Sequence, residues 1–317
     1  MTPRVLRVGT RGSALALAQS TQVAAAVAAA AGCEYALVPI RTEGDVNRAP
    51  LVAIGGTGVF VAAVRDALSA GKVDLVVHSF KDLPTQSAPG LRLGAVPARE
   101  NTSDALCSHG IELDRLRPGA RVGTGSPRRA GQLLRLRPDI CVVPIRGNVD
   151  TRLARVAPDD LDAVLLATAG LRRLGKEAAI TQQLTAPQFL PAPAQGALSV
   201  ECRADVDDAL ASALGTLDDP AARRTALAER AVLRELEAGC SAPVSALGLL
   251  HPETGILTLV ARITTPDGTG EITVQATGPA DDDPGAEAIG TAAARDLLAR
   301  GAGRLVDALG SSAGSGR

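Results

Sequence analysis

The chain has 317 residues, 46% of them apolar, at a net charge of −1. That length supports two or three domains with a sizeable core, and that apolar content excludes a disordered chain. A near-neutral balance with 1% aromatic residues excludes a protein devoted to wrapping nucleic acid, which needs positive charge and stacking surfaces.

The opening Met1-Thr2-Pro3-Arg4-Val5 lacks the apolar run of a secretory signal, and no stretch reads as long enough to span a membrane. Five cysteines, Cys33, Cys107, Cys141, Cys202 and Cys240, form no CxxC pair and total an odd number. Reduced thiols in a cytoplasm are expected, without a disulfide framework or a metal site. Only Lys72, Lys81 and Lys176 are lysine among 33 basic residues, leaving 30 arginines in an alanine-rich chain. That pattern points to codon bias, so an isolated arginine says little here.

The first half alternates strands and helices. Residues 4–9 read as a strand, 13–31 as an alanine-rich helix capped by Ser13, and 35–41 as a second strand. Gly55-Gly56-Thr57-Gly58 precedes a helix over 59–69, and 73–77 is a short buried strand. Strand, helix, strand, helix, strand predicts a parallel sheet. A second set follows: a strand at 121–122, the turn Gly123-Thr124-Gly125-Ser126, a helix from Pro127 and a strand over 140–145. A helix over 148–155 and a strand over 163–167 complete it. Residues 187–193 are a proline-rich connector and 198–202 are again strand-like. Asp218 or Asp219 caps a helix that holds Pro220 in its first turn and runs to 238, with Gly239 as its stop. Alternating segments at 244–249, 256–263 and 271–276 predict an antiparallel sheet, and 284–300 a last helix.

The chemistry concentrates at strand exits. His78-Ser79-Phe80-Lys81-Asp82-Leu83-Pro84 follows the buried strand ending at Val77, where open α/β sheets place ligands. Asp82 either stabilises a positive centre and moves protons or bonds its own backbone ahead of Pro84. Gly123-Thr124-Gly125-Ser126-Pro127-Arg128-Arg129 is a strand-to-helix turn suited to anions, though not a Walker loop. An ordinary capped helix with solvated arginines fits it equally. Arg11, Arg146, Arg152 and Arg173 also lie near strand ends, and together they suggest a polyanionic ligand. Cys107, Cys141 and Cys202 lie in apparent strands and are expected in the core. Cys240 sits in the irregular loop Gly239-Cys240-Ser241-Ala242-Pro243, either reactive or inert.

In order, these segments resemble the porphobilinogen deaminase family. The likeness runs from about Arg7 to Gly248. It rests on Gly9-Thr10-Arg11-Gly12-Ser13 with Gln19, the His78–Pro84 run, Val122 to Arg129, and Ile145-Arg146-Gly147-Asn148 through Arg152. Ala169 to Gly175, Gln195-Gly196-Ala197 with Glu201-Cys202-Arg203, and the Cys240 loop continue it.

The resemblance implies two periplasmic-receptor-like α/β domains flanking a cleft, plus a smaller C-terminal α+β domain. Boundaries are expected at 1–97 with 194–216, at 98–193, and at 217–310 for the cofactor-anchoring part, before a disordered tail over 311–317. It implies head-to-tail joining of four porphobilinogen molecules, with loss of ammonia, on a covalent dipyrromethane primer. Cys240 would carry that cofactor through a thioether. Ser79, Lys81, Asp45, Thr124, Ser126, Arg128, Arg129 and Arg146 would bind the cofactor. Arg11, Ser13, Gln19, Arg152, Arg173 and Gln195 would bind substrate. Asp82 would be catalytic, stabilising the cationic azafulvene. A cytoplasmic monomer is expected, with no nucleic-acid or membrane partner. The chain departs from the family pattern at Thr57, where lysine is common, at Ala62 and Ala63, and at Pro127 in place of leucine.

Overall fold

The computed structural model describes residues 5–41, 58–238, 242–303 and 305. Asp45, Thr57, Gly239, Cys240 and the tail over 311–317 lie outside the described residues. The chain divides into two compact units, residues 1–100 with 197–223 and residues 101–196 with 224–317.

The first unit begins with β1 (Val5–Thr10), α1 (Ala14–Ala31), β2 (Glu34–Pro39), α2 (Gly58–Ser69), β3 (Leu75–Ser79) and β4 (Leu91–Ala95). The chain then builds β5 (Asp104–Cys107), β6 (Arg121–Gly123), α3 (Pro127–Leu136), β7 (Cys141–Val143) and α4 (Val149–Leu153) in the second unit. There β8 (Ala163–Ala167), α5 (Thr168–Arg173) and β9 (Gln182–Leu184) complete a sheet. It returns through β10 (Leu198–Arg203) and α6 (Asp208–Leu217) to the first unit. The helix α7 (Pro220–Glu235) leads to β11 (Val244–Leu250), β12 (Ile256–Thr264), β13 (Glu271–Pro279) and α8 (Asp283–Ala299).

The two larger sheets share one plan. Their orders are β2-β1-β3-β10-β4 and β7-β6-β8-β5-β9. In each, the first three strands are parallel and the fourth runs against its neighbours on both sides. The fourth strand is always the segment that has just crossed between units. Two α/β sheets plus a smaller domain, the antiparallel β11-β12-β13 with α8 against it, are the expected fold class.

Alternation along the central strands decides which helix covers which face. Leu75 and Val77 of β3 and Leu198, Val200 and Cys202 of β10 face α1 and α6. Val76 turns the other way, onto Val64 and Leu68 of α2. Ser13 caps α1, its Oγ accepting from Ala16 N at 3.3 Å. Asp219 caps α7 by accepting from Ala222 N at 2.8 Å, while Asp218 accepts from Val96 N at 2.6 Å.

Three expectations are corrected. By length and composition, α1 is apolar enough to cross a membrane, with a mean hydropathy of 1.4 over 18 residues. Its buried face, Val23, Ala24, Val27 and Ala28, is part of the first unit's core. Cys141 is exposed, because β7 is an edge strand that begins at this residue. The segment 207–217, which carries no predicted element, is the helix α6 capped by Asp207.

Candidate functional site

In the first unit, the parallel neighbours β1 and β3 bring two chain segments together at their carboxyl ends. Val8 pairs with Leu75 and Gly9 with Val76, so Arg11 and Ser13 leave the sheet beside Ser79, Lys81 and Asp82. Ser79 lies on the α1 face, where Gln19 Nε2 donates to its Oγ at 3.1 Å. The next three residues form a single 3₁₀ turn, Phe80–Asp82. Phe80 anchors that turn, buried at 2% exposure with its N–H donated to Ala197 O of the entry to β10 at 3.0 Å. Lys81 is half-buried and Asp82 exposed. The turn thus holds its carboxylate outward on a rigid base.

In the second unit, β6 is followed by Thr124-Gly125-Ser126, and Ser126 caps α3 by accepting from Arg129 N at 3.4 Å. Gly125 is needed because a Cβ there would lie 2.6 Å from Ile145 O. The two following arginines turn inward. Arg128 donates to Asp104 Oδ2 at 2.7 Å and to Leu190 O at 2.6 Å. Arg129 reaches Asp104 Oδ1 from Nε at 3.0 Å and from Nη2 at 2.7 Å, and Leu165 O from Nη1 at 3.0 Å. Gln195 Nε2 adds a fourth side chain, donating to Asp104 Oδ1 at 2.9 Å and to Thr102 O at 2.8 Å.

Burial by itself would raise the Asp104 carboxyl. The two guanidinium charges, with hydrogen bonds from Arg129 and Gln195, overcome it and hold Asp104 well below the ordinary carboxylate range. Two cations buried against one anion leave this cluster with a net positive charge. Buried charge in excess is costly unless paired. The donor set of hydroxyls, a helix start and guanidiniums therefore fits a carboxylate-bearing group.

The remaining predicted residues are placed separately. Arg146 is exposed at the end of the β7 loop. Arg152, in α4, donates from Nε to Gly147 O at 2.8 Å, which brings it back to the loop carrying Arg146. Arg173, at the end of α5, donates to Gly196 O at 2.7 Å, next to Gln195.

The amino-terminal two thirds of the chain, residues 6–211, match the family model described as porphobilinogen deaminase, dipyromethane cofactor binding domain. Residues 223–299 match the porphobilinogen deaminase C-terminal domain. The chain belongs to the porphobilinogen deaminase family. Similar curated relatives bear the family's name across almost their full lengths. The porphobilinogen deaminase of Leifsonia xyli is 49% identical over 310 residues, covering 95% of this chain and 94% of that one. That of Cutibacterium acnes is 48% identical over 324 residues, covering 95% and 97%. Porphobilinogen deaminase 1 of Streptomyces coelicolor is 48% identical over 315 residues, covering 96% and 98%.

Sequence reasoning missed Asp104, the hub of the arginine cluster, and the contacts that bring the half-buried Arg65 and His78 onto the buried Glu201. Asp104 lies in a four-residue strand with every position buried. A carboxylate flanked by Ser103 and Ala105-Leu106-Cys107 was the available signal, since burial of such a group demands a cationic partner.

Proposed function

We propose that the chain is a hydroxymethylbilane synthase. It joins four porphobilinogen molecules head to tail, releases ammonia at each addition, and yields the linear tetrapyrrole hydroxymethylbilane. The observation that carries the residue assignment is the net positive charge of the buried Arg128, Arg129 and Asp104 cluster. Each porphobilinogen ring brings an acetate and a propionate, whose negative charge would balance this excess.

Cys240 would hold the dipyrromethane through a thioether, and that group would supply the nucleophilic pyrrole end for chain growth. Thr124, Ser126, Arg128, Arg129 and Arg146 hold its carboxylates, as do Ser79, Lys81 and Asp45. Arg11, Ser13, Gln19, Arg152 and Arg173 receive substrate carboxylates. Gln195 acts through Asp104, keeping it aimed at the arginine pair.

Asp82 is the catalytic residue. Loss of ammonia from the substrate's aminomethyl group leaves a delocalised cation. The exposed carboxylate on its fixed turn stabilises that cation and carries protons between pyrrole nitrogen and departing amine. The pre-set turn means that little reorganisation is needed when the charge develops.

A cytoplasmic monomer acting on a small molecule, apart from nucleic acid and membrane, completes the reading. Packing of α1 into the first unit's core supports the last point. Large exposed apolar side chains such as Ile111, Leu136, Leu249 and Leu298 come from separate elements, as on monomeric proteins.

Intact mass and turnover test this together. The wild-type chain is expected to carry a covalent dipyrrole that a Cys240→Ser chain lacks. Asp82→Ala is expected to keep its fold and lose nearly all turnover. An unmodified wild type that releases no ammonia from porphobilinogen would overturn the function, and near-normal turnover in Asp82→Ala would remove that residue from it.

A further inference from the structure

Glu201-Cys202-Arg203 is a motif to which the reading above gives no task. In β10 the alternation turns Cys202 into the core beside α1 and leaves Glu201 and Arg203 on the α2 face. Both grip what surrounds them. Arg203 Nη1 donates to Leu68 O at 3.2 Å and to Val73 O at 2.8 Å, tying the end of α2 to the approach of β3. Glu201 accepts a two-pronged contact from Arg65 of α2, Nε to Oε2 at 3.0 Å and Nη2 to Oε1 at 2.7 Å.

Glu201 has a second neighbour. The antiparallel register sets Glu201 against Val76 and Ser199 against His78, so Glu201 and His78 are diagonal neighbours on one face. His78 Nε2 lies 3.1 Å from Glu201 Oε2, with side-chain exposures of 9% and 7%. Burial pushes the Glu201 carboxyl up, but contacts from His78 and Arg65 bring it down to about 2. It is therefore a carboxylate at any working pH.

His78 is the last residue of β3 to point toward α2 before the chain turns. Ser79, next along, is held from the opposite face by Gln19, and Phe80 is held in the plane by Ala197 O. Three successive residues are thus fixed from three directions immediately ahead of Lys81 and Asp82. We propose that Glu201 is a positioning residue for the Lys81–Asp82 turn, acting through His78, while its contact with Arg65 fastens α2. This rests on the reading of Asp82 as the reacting carboxylate.

The two contacts of Glu201 can be separated. A Glu201→Gln chain weakens both, since it loses the charge and one of two accepting oxygens, whereas Glu201→Gln with Arg65→Gln replaces the ion pair by two amides able to bond each other. The double variant is expected to regain most of the thermal midpoint lost by the single one. Its kcat should remain about tenfold down, with KM for porphobilinogen within about twofold of wild type, because a displaced reacting group costs rate before affinity. His78→Gln alone should give the same kcat loss, and adding it to the double variant should cost no more than about twofold further. Amide exchange across 79–83, measured in chains carrying Cys240→Ser, should quicken about tenfold in both backgrounds. Recovery of kcat together with the midpoint, or wild-type kcat and exchange in His78→Gln, would overturn the proposal and leave Glu201 a clamp for α2. A wild type that makes no hydroxymethylbilane would instead overturn the proposed function, and the exchange measurement would still decide whether His78 and Glu201 hold the turn.

Discussion

The side-chain amide of Gln195 donates to the Asp104 carboxylate at 2.9 Å across 91 residues of chain. With Arg128 and Arg129 on the same carboxylate, all four side chains are buried. Asp104→Asn would leave two guanidiniums without their anion. The expected cost is about 3–5 kcal/mol, the range for breaking a buried pair from one side. Urea denaturation of the cofactor-bearing protein measures it, and a loss under about 1 kcal/mol would show that the arginines find other partners.

Glu201 makes stability depend on pH. Its folded value of about 2 lies below its ordinary 4.5. A depressed carboxyl adds stability that is complete above the unfolded value and is lost as pH falls through the folded one. Roughly 3 kcal/mol should therefore disappear between about pH 4.5 and 2. Acid titration of unfolding free energy in wild type and Glu201→Gln checks this. The difference between them should shrink toward low pH and stay constant above about pH 5.

The cysteines should differ sharply in reactivity. Burial pushes the Cys107 thiol up to about 11 and raises that of Cys202 as well. Cys141 is exposed on its edge strand. Under native conditions, iodoacetamide should label Cys141 within minutes and spare Cys107 and Cys202 until unfolding. Peptide mapping after a timed pulse reads the order, and Cys141→Ser should remove the fast label.

Gly290→Ala sets two effects against each other. Alanine favours a helix interior by about 1 kcal/mol over glycine. A Cβ at Gly290 would, however, lie 2.0 Å from Ala228 O and 2.7 Å from Ala231 Cβ, where α8 rests on α7. Backbone cannot yield as a flexible side chain does, so overpacking wins and a net loss of about 1–3 kcal/mol is expected. Thermal unfolding of the variant measures the balance.

What the sequence made legible was local. The exits of β3 and β6 announce themselves because hydroxyls, glycine and charge follow directly on a short buried strand. Ser13 and Asn148 each sit at a helix start, and each caps its helix. The partners of those exits were not legible, since Asp104 reaches Arg129 from 25 residues away and Glu201 reaches Arg65 from 136. Nothing in the neighbourhood of one names the other. Cys141 shows a different limit: the apolar run around it predicts a strand correctly, but periodicity does not reveal whether a strand lies at a sheet's centre or its edge. Helix α6 carried its signal, an Asp207 cap before alternating leucine and alanine, in a segment short enough to read as a connection.

The returning strand β10 also sets a timetable. Until residues 198–203 leave the ribosome, β3 has β1 on one side but lacks its antiparallel partner on the other, and the Asp82 turn lacks the Ala197 carbonyl that anchors Phe80. A nascent chain carrying all of β1 to β4 therefore exposes β3 as an open edge, ready to pair with other polypeptides. Premature termination anywhere before residue 198 would yield a species whose fate is aggregation or proteolysis, and the cell would meet such a lesion as a burden on its chaperones.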